Sequence, residues 1–159
     1  MIRLTKVLVP TDFSESSATA VAYGEELARR FGASLHVLHV VEEPLAQGWS
    51  AYGYPAVLPE LRAQVLAGAQ GRLEEAVPQR ERERQATELV TCLGDPRHEI
   101  VRFARERGID LIVMGTHGRG GMAHLLLGSV AESVVRTAPC PVLTVRHPEH
   151  EFVTAERLA

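Results

Sequence analysis

Short apolar segments alternate with amphipathic helical segments along this 159-residue chain, and that alternation limits the fold more than any other feature. The apolar segments have strand-like composition, and the segments between them repeat apolar residues every three or four positions, as helices do. Alternating strands and helices predict a parallel sheet with right-handed crossovers and helices on both faces. We therefore expect a single α/β domain with an open sheet of five strands, at residues 6–10, 34–41, 87–93, 111–114 and 139–145.

The composition agrees with one globular domain, because 45% of the residues are hydrophobic and 23% are charged. The formal net charge of −3 provides no field that would attract nucleic acid or an anionic membrane, so neither is an expected partner. The chain has no signal-peptide pattern and no apolar run that could cross a bilayer, which predicts a cytoplasmic protein. Cys92 and Cys140 lack CxxC spacing and are interpreted as buried structural thiols.

Capping residues indicate where the predicted helices begin and end. The first helix follows two capping candidates, Asp12 and Ser14, and the third follows Asp95 as its N-cap. The second helix begins at about residue 57 and is expected to kink or end at Pro78, because proline lacks the N–H that a helix interior needs. The charged run that follows it is interpreted as a solvated face.

A glycine-rich stretch, residues 115–129, lies between the fourth strand and the last helix. Glycine lets backbone N–H groups approach an anion closely, and the helix start that follows adds unpaired N–H donors and partial positive charge. Ser129 and Glu132 match a capping box at this helix start. Ligands of open parallel sheets bind outside the carboxyl ends of the strands, which predicts a site formed by this stretch and residues 10–12, 40–41 and 114–115.

Two common phosphate-binding motifs do not fit this stretch. A Walker A loop needs a lysine after its glycines, and none follows here. Residues 118–123 match the loose GxGxxA pattern of dinucleotide-binding folds, but they follow the fourth strand instead of the first, and no acidic residue lies about 20 positions later. A P-loop hydrolase and a Rossmann dehydrogenase are therefore disfavoured.

The pattern that remains is Gly115-x-x-Gly118, nine residues, then Gly128-Ser129. It resembles the nucleotide-binding branch of the universal stress protein (UspA) family. The likeness extends to residues 7–14, 39–40, 94–96 and 138–142, and only the loop around 44–57, residues 78–84 and the tail depart from it.

The resemblance implies an adenine nucleotide alpha hydrolase-like, Rossmann-like sheet with the strand order 3-2-1-4-5. It also implies a universal stress protein domain over residues 1–147, followed by a C-terminal tail over residues 148–159. A homodimer is implied as well, in which the last strand, residues 142–145, pairs with its copy.

The resemblance further implies that the site holds an adenine nucleotide, either ATP or else AMP or ADP. Adenine would contact Val40 with Pro10 and Met114 nearby, and ribose would lie near Asp12 and Gly115. The phosphates would meet the glycine backbone and the start of the last helix, and they would carry Mg²⁺ with them. The complete implied site consists of Pro10, Thr11, Asp12, Val40, Met114, Gly115, Gly118, Arg119, Gly128, Ser129 and Val130.

Each of these residues also has a purely structural interpretation. Asp12 could serve only as a helix cap, Ser129 is expected to cap a helix whether or not it binds phosphate, and Arg119 could be solvated. His117 and His124 flank the glycines without the spacing of metal ligands, so no metal site is expected from histidines or cysteines.

The sequence favours binding over catalysis. No Ser-His-Asp or Cys-His arrangement can be assigned, and Asp12, the only acidic residue expected at the site, would be occupied by ribose. We therefore predict a nucleotide-binding stress-response module with no catalytic residue and with little or slow ATP hydrolysis. Two alternatives remain: a slow ATPase or nucleotide-transfer enzyme with loop 44–57 as a lid, and an interaction protein with an empty site.

Overall fold

The computed structural model of this chain describes residues 1, 3–42, 59–117 and 127–147. Its strands are β1 (Lys6–Pro10), β2 (Ser34–Val41), β3 (Thr87–Leu93), β4 (Leu111–Gly115) and β5 (Val142–Val145). They form one five-stranded sheet in the order β3-β2-β1-β4-β5, and every neighbouring pair is parallel. The predicted α/β class and strand order are confirmed.

Five helices accompany the strands in the described residues: α1 (Glu15–Phe31), α2 (Pro59–Ala76), α3 (Gln79–Arg84), α4 (Pro96–Arg107) and α5 (Ser129–Thr137). Ser14 is the N-cap of α1, where its Oγ accepts a hydrogen bond from the N–H of Ser17 at 3.2 Å. Asp95 is the N-cap of α4, and its carboxylate accepts a bond from the N–H of Arg97 at 2.9 Å. These polar caps stabilise helix starts because they satisfy N–H groups that have no partner inside the helix.

Proline sets two element boundaries. The helix α2 ends at Ala76, and Pro78 becomes the N-cap of the short charged helix α3, so the run interpreted as a solvated face is itself helical. The last strand begins at Val142 and not at residue 139, as the sequence suggested. Pro141 has no N–H to donate, and it contributes only its carbonyl oxygen, which accepts from the N–H of Ile112 at 3.0 Å.

The sheet is buried on both faces. Along β1, Val7 and Val9 pack in one apolar cluster with residues of α1 and α2, whereas Leu8 packs in a second cluster with residues of α4 and α5. All three side chains are fully buried, which is typical of a central parallel strand. The face covered by α1 and α2 is called the first face below, and the face covered by α4 and α5 the second face.

The structure also bears on the expectations about membrane-spanning helices and about the two cysteines. No helix among the described residues is long and apolar enough to span a membrane. Cys92 and Cys140 are free and half-buried, and burial raises the pKa of both thiols, so both remain protonated and unreactive near neutral pH.

Candidate functional site

The strands β1, β2 and β4 end together at one side of the sheet, which is called the carboxyl edge below. Pro10 is in register with Leu38 of β2, and Val40 lies two residues beyond that pair. Val40 and Met114 are both buried in the cluster on the second face, at 8% and 5% exposure. Val130, in the first turn of α5, packs against the same cluster. The structure therefore places Val40, Met114 and Val130, three of the predicted nucleotide-contacting residues, in the same apolar cluster.

Thr11 follows β1 and is almost completely buried. Its N–H donates to the carbonyl oxygen of Leu38 at 2.9 Å, which continues the sheet by one bond. Its hydroxyl lies 3.0 Å from the hydroxyl of Ser17 and accepts from the N–H of Phe13 at 3.1 Å. These bonds turn the Thr11 side chain toward α1, where it fixes the strand-to-helix turn.

Asp12 lies half-buried between the end of β1 and the start of α1. One carboxylate oxygen, Oδ1, accepts from the N–H of Ser14 at 3.0 Å and from the Ser14 hydroxyl at 2.5 Å. Ser14 and not Asp12 is the N-cap of α1, so the interpretation of Asp12 as that cap is wrong. Asp12 is instead a carboxylate whose orientation is set by a local turn.

Phe13 adopts an unusual backbone conformation next to Asp12. Its φ of 64° lies in the left-handed region, and among the described residues it is the only non-glycine residue there. A left-handed conformation costs a bulky residue about 1–3 kcal/mol, so surrounding contacts must maintain it. The Phe13 ring packs at 4.4 Å from the His39 ring, and the guanidinium carbon of Arg72 lies 4.1 Å above the Phe13 ring centre.

Gly115 is needed for packing at the end of β4. A Cβ at this position would lie 2.9 Å from the carbonyl carbon and 3.0 Å from the carbonyl oxygen of Ser16, and it would also overlap the Ser16 hydroxyl oxygen. The glycine therefore lets the first turn of α1 approach the end of β4 closely. This requirement exists whether or not ribose also lies nearby.

The described ends of the glycine-rich stretch meet directly. The N–H of Gly128 donates to the carbonyl oxygen of Thr116 at 2.7 Å, and the N–H of Thr116 donates to the carbonyl oxygen of Val145 at 3.0 Å. These bonds place the start of α5 next to the ends of β4 and β5. Gly118, Arg119 and His124 lie outside the described residues.

The capping box predicted at Ser129 does not form. Gly128 is the N-cap of α5, no side chain among the described residues caps it, and Ser129 is the exposed first helical residue. The Gly128 N–H is bonded to Thr116, and the Glu132 carboxylate pairs with Arg136 at 2.9 Å, so Glu132 does not serve as the reciprocal cap. Without a side-chain cap, the first-turn N–H groups and their partial positive charge suit an anionic ligand.

A family model described as the universal stress protein family matches residues 3–146. The chain belongs to the universal stress protein family. A universal stress protein of Methanocaldococcus jannaschii is 36% identical over 148 residues, which cover 92% of this chain and 84% of that protein. A solved universal stress protein of Lactobacillus plantarum shares 27% identity with a TM-score of 0.72, covering 92% of this chain and all of the other.

A third relative, a universal stress protein solved in complex with cAMP, shares 27% identity with a TM-score of 0.62. The alignment covers 91% of this chain and 98% of that one. The family and the fold that the glycine spacing suggested are therefore both confirmed.

In this universal stress protein, the predicted site residues within the described ranges all lie at the carboxyl edge. They are Pro10, Thr11, Asp12, Val40, Met114, Gly115, Gly128, Ser129 and Val130. The same described ranges contain no group of three histidine, cysteine, aspartate or glutamate residues that could hold a metal ion.

A second polar cluster lies at the opposite, amino edge of the sheet. The Nδ1 of His36 lies 2.9 Å from a Glu88 carboxylate oxygen, and Arg107 pairs with the other oxygen at 3.2 Å. Ser34, His36 and Glu88 have the order of a hydrolytic triad. However, the Ser34 hydroxyl donates to the carbonyl oxygen of Thr5 at 3.3 Å and lies 3.4 Å from His36, so His36 does not activate it.

Sequence reasoning missed the contacts of Phe13 and those of His36. Glycine and asparagine are the residues that normally indicate a left-handed conformation, and Phe13 is neither. The His36 and Glu88 pair depends on the register of β2 and β3, in which these two residues are direct partners. Once the strand order is known, that register is the signal that predicts the pair.

Proposed function

We propose that this universal stress protein binds an adenine nucleotide at the carboxyl edge of its sheet, and that ATP is the main ligand. One observation carries the proposal. The bonds from Gly128 to Thr116 and from Thr116 to Val145 hold the start of α5, for which the described residues provide no side-chain cap, beside the ends of β4 and β5. A helix start suited to anions, a fixed carboxylate and an apolar group at the same edge of the sheet match the three parts of a nucleotide.

Each part of the nucleotide has its own partners in this proposal. Adenine packs against Val40 and Met114 beside Pro10, and the ribose hydroxyls donate to the Asp12 carboxylate near Gly115. The phosphates accept bonds from the backbone N–H groups at the start of α5, which involves Gly128, Ser129 and Val130. Gly118 and Arg119 complete the phosphate site, and Thr11 holds the turn that carries Asp12.

The chemistry of a relative supports an adenine ligand. The universal stress protein solved in complex with cAMP shares 27% identity over most of both chains. In this proposal Mg²⁺ binds with the nucleotide through its phosphate oxygens, because this cation prefers oxygen ligands and retains several waters.

We infer that the protein is a regulatory binding module in the stress response, located in the cytoplasm, with little or slow ATP hydrolysis. The only carboxylate assigned to the site, that of Asp12, binds ribose, so no general base is available to activate water. The alternative is a slow ATPase or nucleotide-transfer enzyme of the same architecture. A steady release of ADP from Mg-ATP faster than about one per second, within the usual enzyme range, would establish that alternative.

The first experiment identifies the ligand directly. Nucleotide released from freshly purified, denatured protein is analysed by mass spectrometry, and we expect an adenine nucleotide. The protein is then stripped of nucleotide and titrated with ATP while its thermal unfolding is followed. A ligand that binds only the folded state must raise the unfolding temperature, so no bound nucleotide together with no shift at millimolar ATP would reject the proposal.

We also propose a homodimer formed through β5. This strand is at the edge of the sheet, and Val142, Leu143 and Thr144 are only half-buried. Antiparallel pairing of two β5 strands would satisfy their free backbone groups and cover these side chains. A monomeric mass at micromolar concentration, measured by analytical ultracentrifugation, would contradict the dimer.

A further inference from the structure

Asp12 lies between two residues that are both held by His39. The Nδ1–H of His39 donates to the carbonyl oxygen of Thr11 at 2.8 Å, since a carbonyl can only accept. The His39 ring also packs against the Phe13 ring at 4.4 Å, with the two planes tilted by 46°. The backbone on each side of Asp12 is therefore fixed by the same side chain from β2.

Arg72 closes this arrangement from α2. Its guanidinium carbon lies 4.1 Å from the centre of the Phe13 ring, a distance at which a cation is attracted to an aromatic face. The Phe13 ring also packs against the apolar cluster on the first face. Phe13 is thus enclosed by His39, Arg72 and the core. These contacts explain how a phenylalanine maintains a φ of 64°.

We propose that Phe13 is a positioning residue for the nucleotide site, and that His39 and Arg72 hold it so that the Asp12 carboxylate points at the ribose hydroxyls. The set of Phe13, His39 and Arg72 is called the Phe13 clamp below. This inference rests on the proposed nucleotide binding, and it adds α2 to the elements that determine ribose recognition. A change in α2 that moves Arg72 would change the affinity for nucleotides that carry ribose hydroxyls.

The alternative role for Arg72 is to bind a phosphate of the nucleotide directly instead of holding Phe13. The structure argues against it. Phe13, to which Arg72 is bound, packs on the first face, whereas Val40, Met114 and the Val130 end of α5 belong to the second face. Arg72 therefore lies across the sheet from the group that is proposed to hold adenine and the phosphates.

The experiment compares ATP with 2′,3′-dideoxy-ATP, which has the same base and phosphates but lacks the hydroxyls that Asp12 would bind. In the wild-type protein, calorimetry is expected to show that ATP binds about tenfold or more tightly, as for a hydrogen bond to a charged group. Arg72→Met removes the cation and keeps the side-chain length. We expect it to weaken ATP binding about two- to fivefold and leave dideoxy-ATP binding unchanged.

Two further variants complete the binding series. Arg72→Lys retains a cation over the ring and should keep most of the preference for ATP. Phe13→Gly allows a positive φ but removes the ring. It should reduce the preference for ATP over dideoxy-ATP at least as strongly as Arg72→Met does. In an Asp12→Ala background, Arg72→Met should have no further effect on either nucleotide. Equal weakening of both nucleotides by Arg72→Met, or no weakening of either, would overturn the proposal.

The control variant is Arg80→Met, which changes the net charge by the same amount on the exposed surface of α3. It should leave the affinities for both nucleotides at their wild-type values. A loss of preference in Arg80→Met similar to that in Arg72→Met would mean that overall charge, and not the clamp, determines the effect.

A measurement without nucleotide separates the clamp from the proposed function. The Ser14 N–H donates to the Asp12 carboxylate, and its hydrogen exchange reports how firmly that carboxylate is held. By NMR, we expect Arg72→Met, but not Arg80→Met, to accelerate exchange at Ser14 about two- to fivefold. The Ala18 N–H, which donates to the Ser14 carbonyl oxygen in the first turn of α1, is the internal reference and should not change.

If the wild-type protein binds neither nucleotide, the proposed function fails, and the exchange rates alone decide whether the clamp holds Asp12. Equal exchange at Ser14 in the two arginine variants would overturn the clamp in that case as well.

Discussion

The backbone N–H of Gly128 donates to the carbonyl oxygen of Thr116 over 2.7 Å, and this bond joins the two described ends of the glycine-rich stretch. Through the bond from Thr116 to Val145, the start of α5 is tied to both β4 and β5. A helix start that is fixed in this way needs little reorganisation when an anion binds. Such preorganisation increases affinity because less conformational entropy is lost on binding.

The first prediction concerns Gly128→Val. The φ of −69° and ψ of 160° at this residue are accessible to valine, so the fold should be retained. The added side chain would occupy the space beside the first-turn N–H groups of α5. We expect ATP affinity to fall by more than about tenfold in calorimetry, which is the effect of losing one hydrogen bond to a charged group.

The matched control is Gly71→Ala, at an exposed glycine of α2 where an added Cβ would meet nothing within 4 Å. It should leave ATP affinity unchanged. Gly128→Val with wild-type affinity and a wild-type urea midpoint would contradict the location of the phosphates at α5. The same loss of affinity is predicted for Gly118→Val.

The second prediction separates packing from binding at Gly115. Gly115→Ala would force the first turn of α1 away from β4, because the Ser16 carbonyl group is only about 3 Å from the new Cβ. We expect the free energy of unfolding to fall by about 1–3 kcal/mol, as for other overpacked sites. Urea denaturation measures this loss, and Gly71→Ala should instead raise stability by about 0.5–1 kcal/mol. Equal stability of the two variants would contradict the close approach.

The sequence predicts the sheet well because burial on both faces leaves a simple pattern. Val7, Leu8 and Val9 are consecutive apolar residues that belong to alternate faces, and no solvated strand would have this composition. The glycine spacing then predicts the family, and the family implies the strand order. Most of the candidate site follows, since parallel strands end at the same edge.

The local chemistry of the site is less predictable. Ser129 and Glu132 match a capping box, yet Gly128 takes the cap position, and its N–H is bonded to Thr116. That bond links β4 to α5, and a local sequence pattern carries no information about it. The left-handed Phe13 likewise depends on side chains from β2 and α2, so its own sequence neighbourhood could not indicate it.

The third prediction concerns Ser14, which both caps α1 and bonds to Asp12. Ser14→Ala removes the acceptor for the Ser17 N–H and the hydroxyl donor to the Asp12 carboxylate. We expect the free energy of unfolding to fall by about 1 kcal/mol, the usual cost of a lost N-cap. Ser14→Asn is the control, since asparagine caps as well as serine does, and it should retain most of that stability. Equal losses in the two variants, measured by urea denaturation, would show that capping is not the cause.

The last prediction concerns pH and the amino edge of the sheet. Burial lowers the pKa of His36. The Glu88 carboxylate, which accepts a hydrogen bond from the Nδ1–H of His36, opposes this effect, whereas the positive charges of Arg107 and Lys6 lower the pKa further. In the unfolded chain histidine titrates at about pH 6.5. As the pH falls below that value, the unfolded state takes up a proton before the native state does. His36 therefore makes no pH-dependent contribution above that range, and it lowers stability progressively as the pH falls from about 6.5 through its native pKa.

His36→Gln removes this titration while keeping an amide that can donate to Glu88. The measurement is the difference in unfolding free energy between wild type and variant, from urea denaturation between about pH 8 and 5.5, a range that includes the unperturbed histidine pKa. Taking the difference cancels the contributions of the other histidines, which both proteins share. We expect the wild type to lose stability relative to the variant as the pH falls, with a slope of at most about 1.4 kcal/mol per pH unit for one proton. A difference that stays constant, or that changes in favour of the wild type, would mean that the attraction of Glu88 outweighs burial at His36.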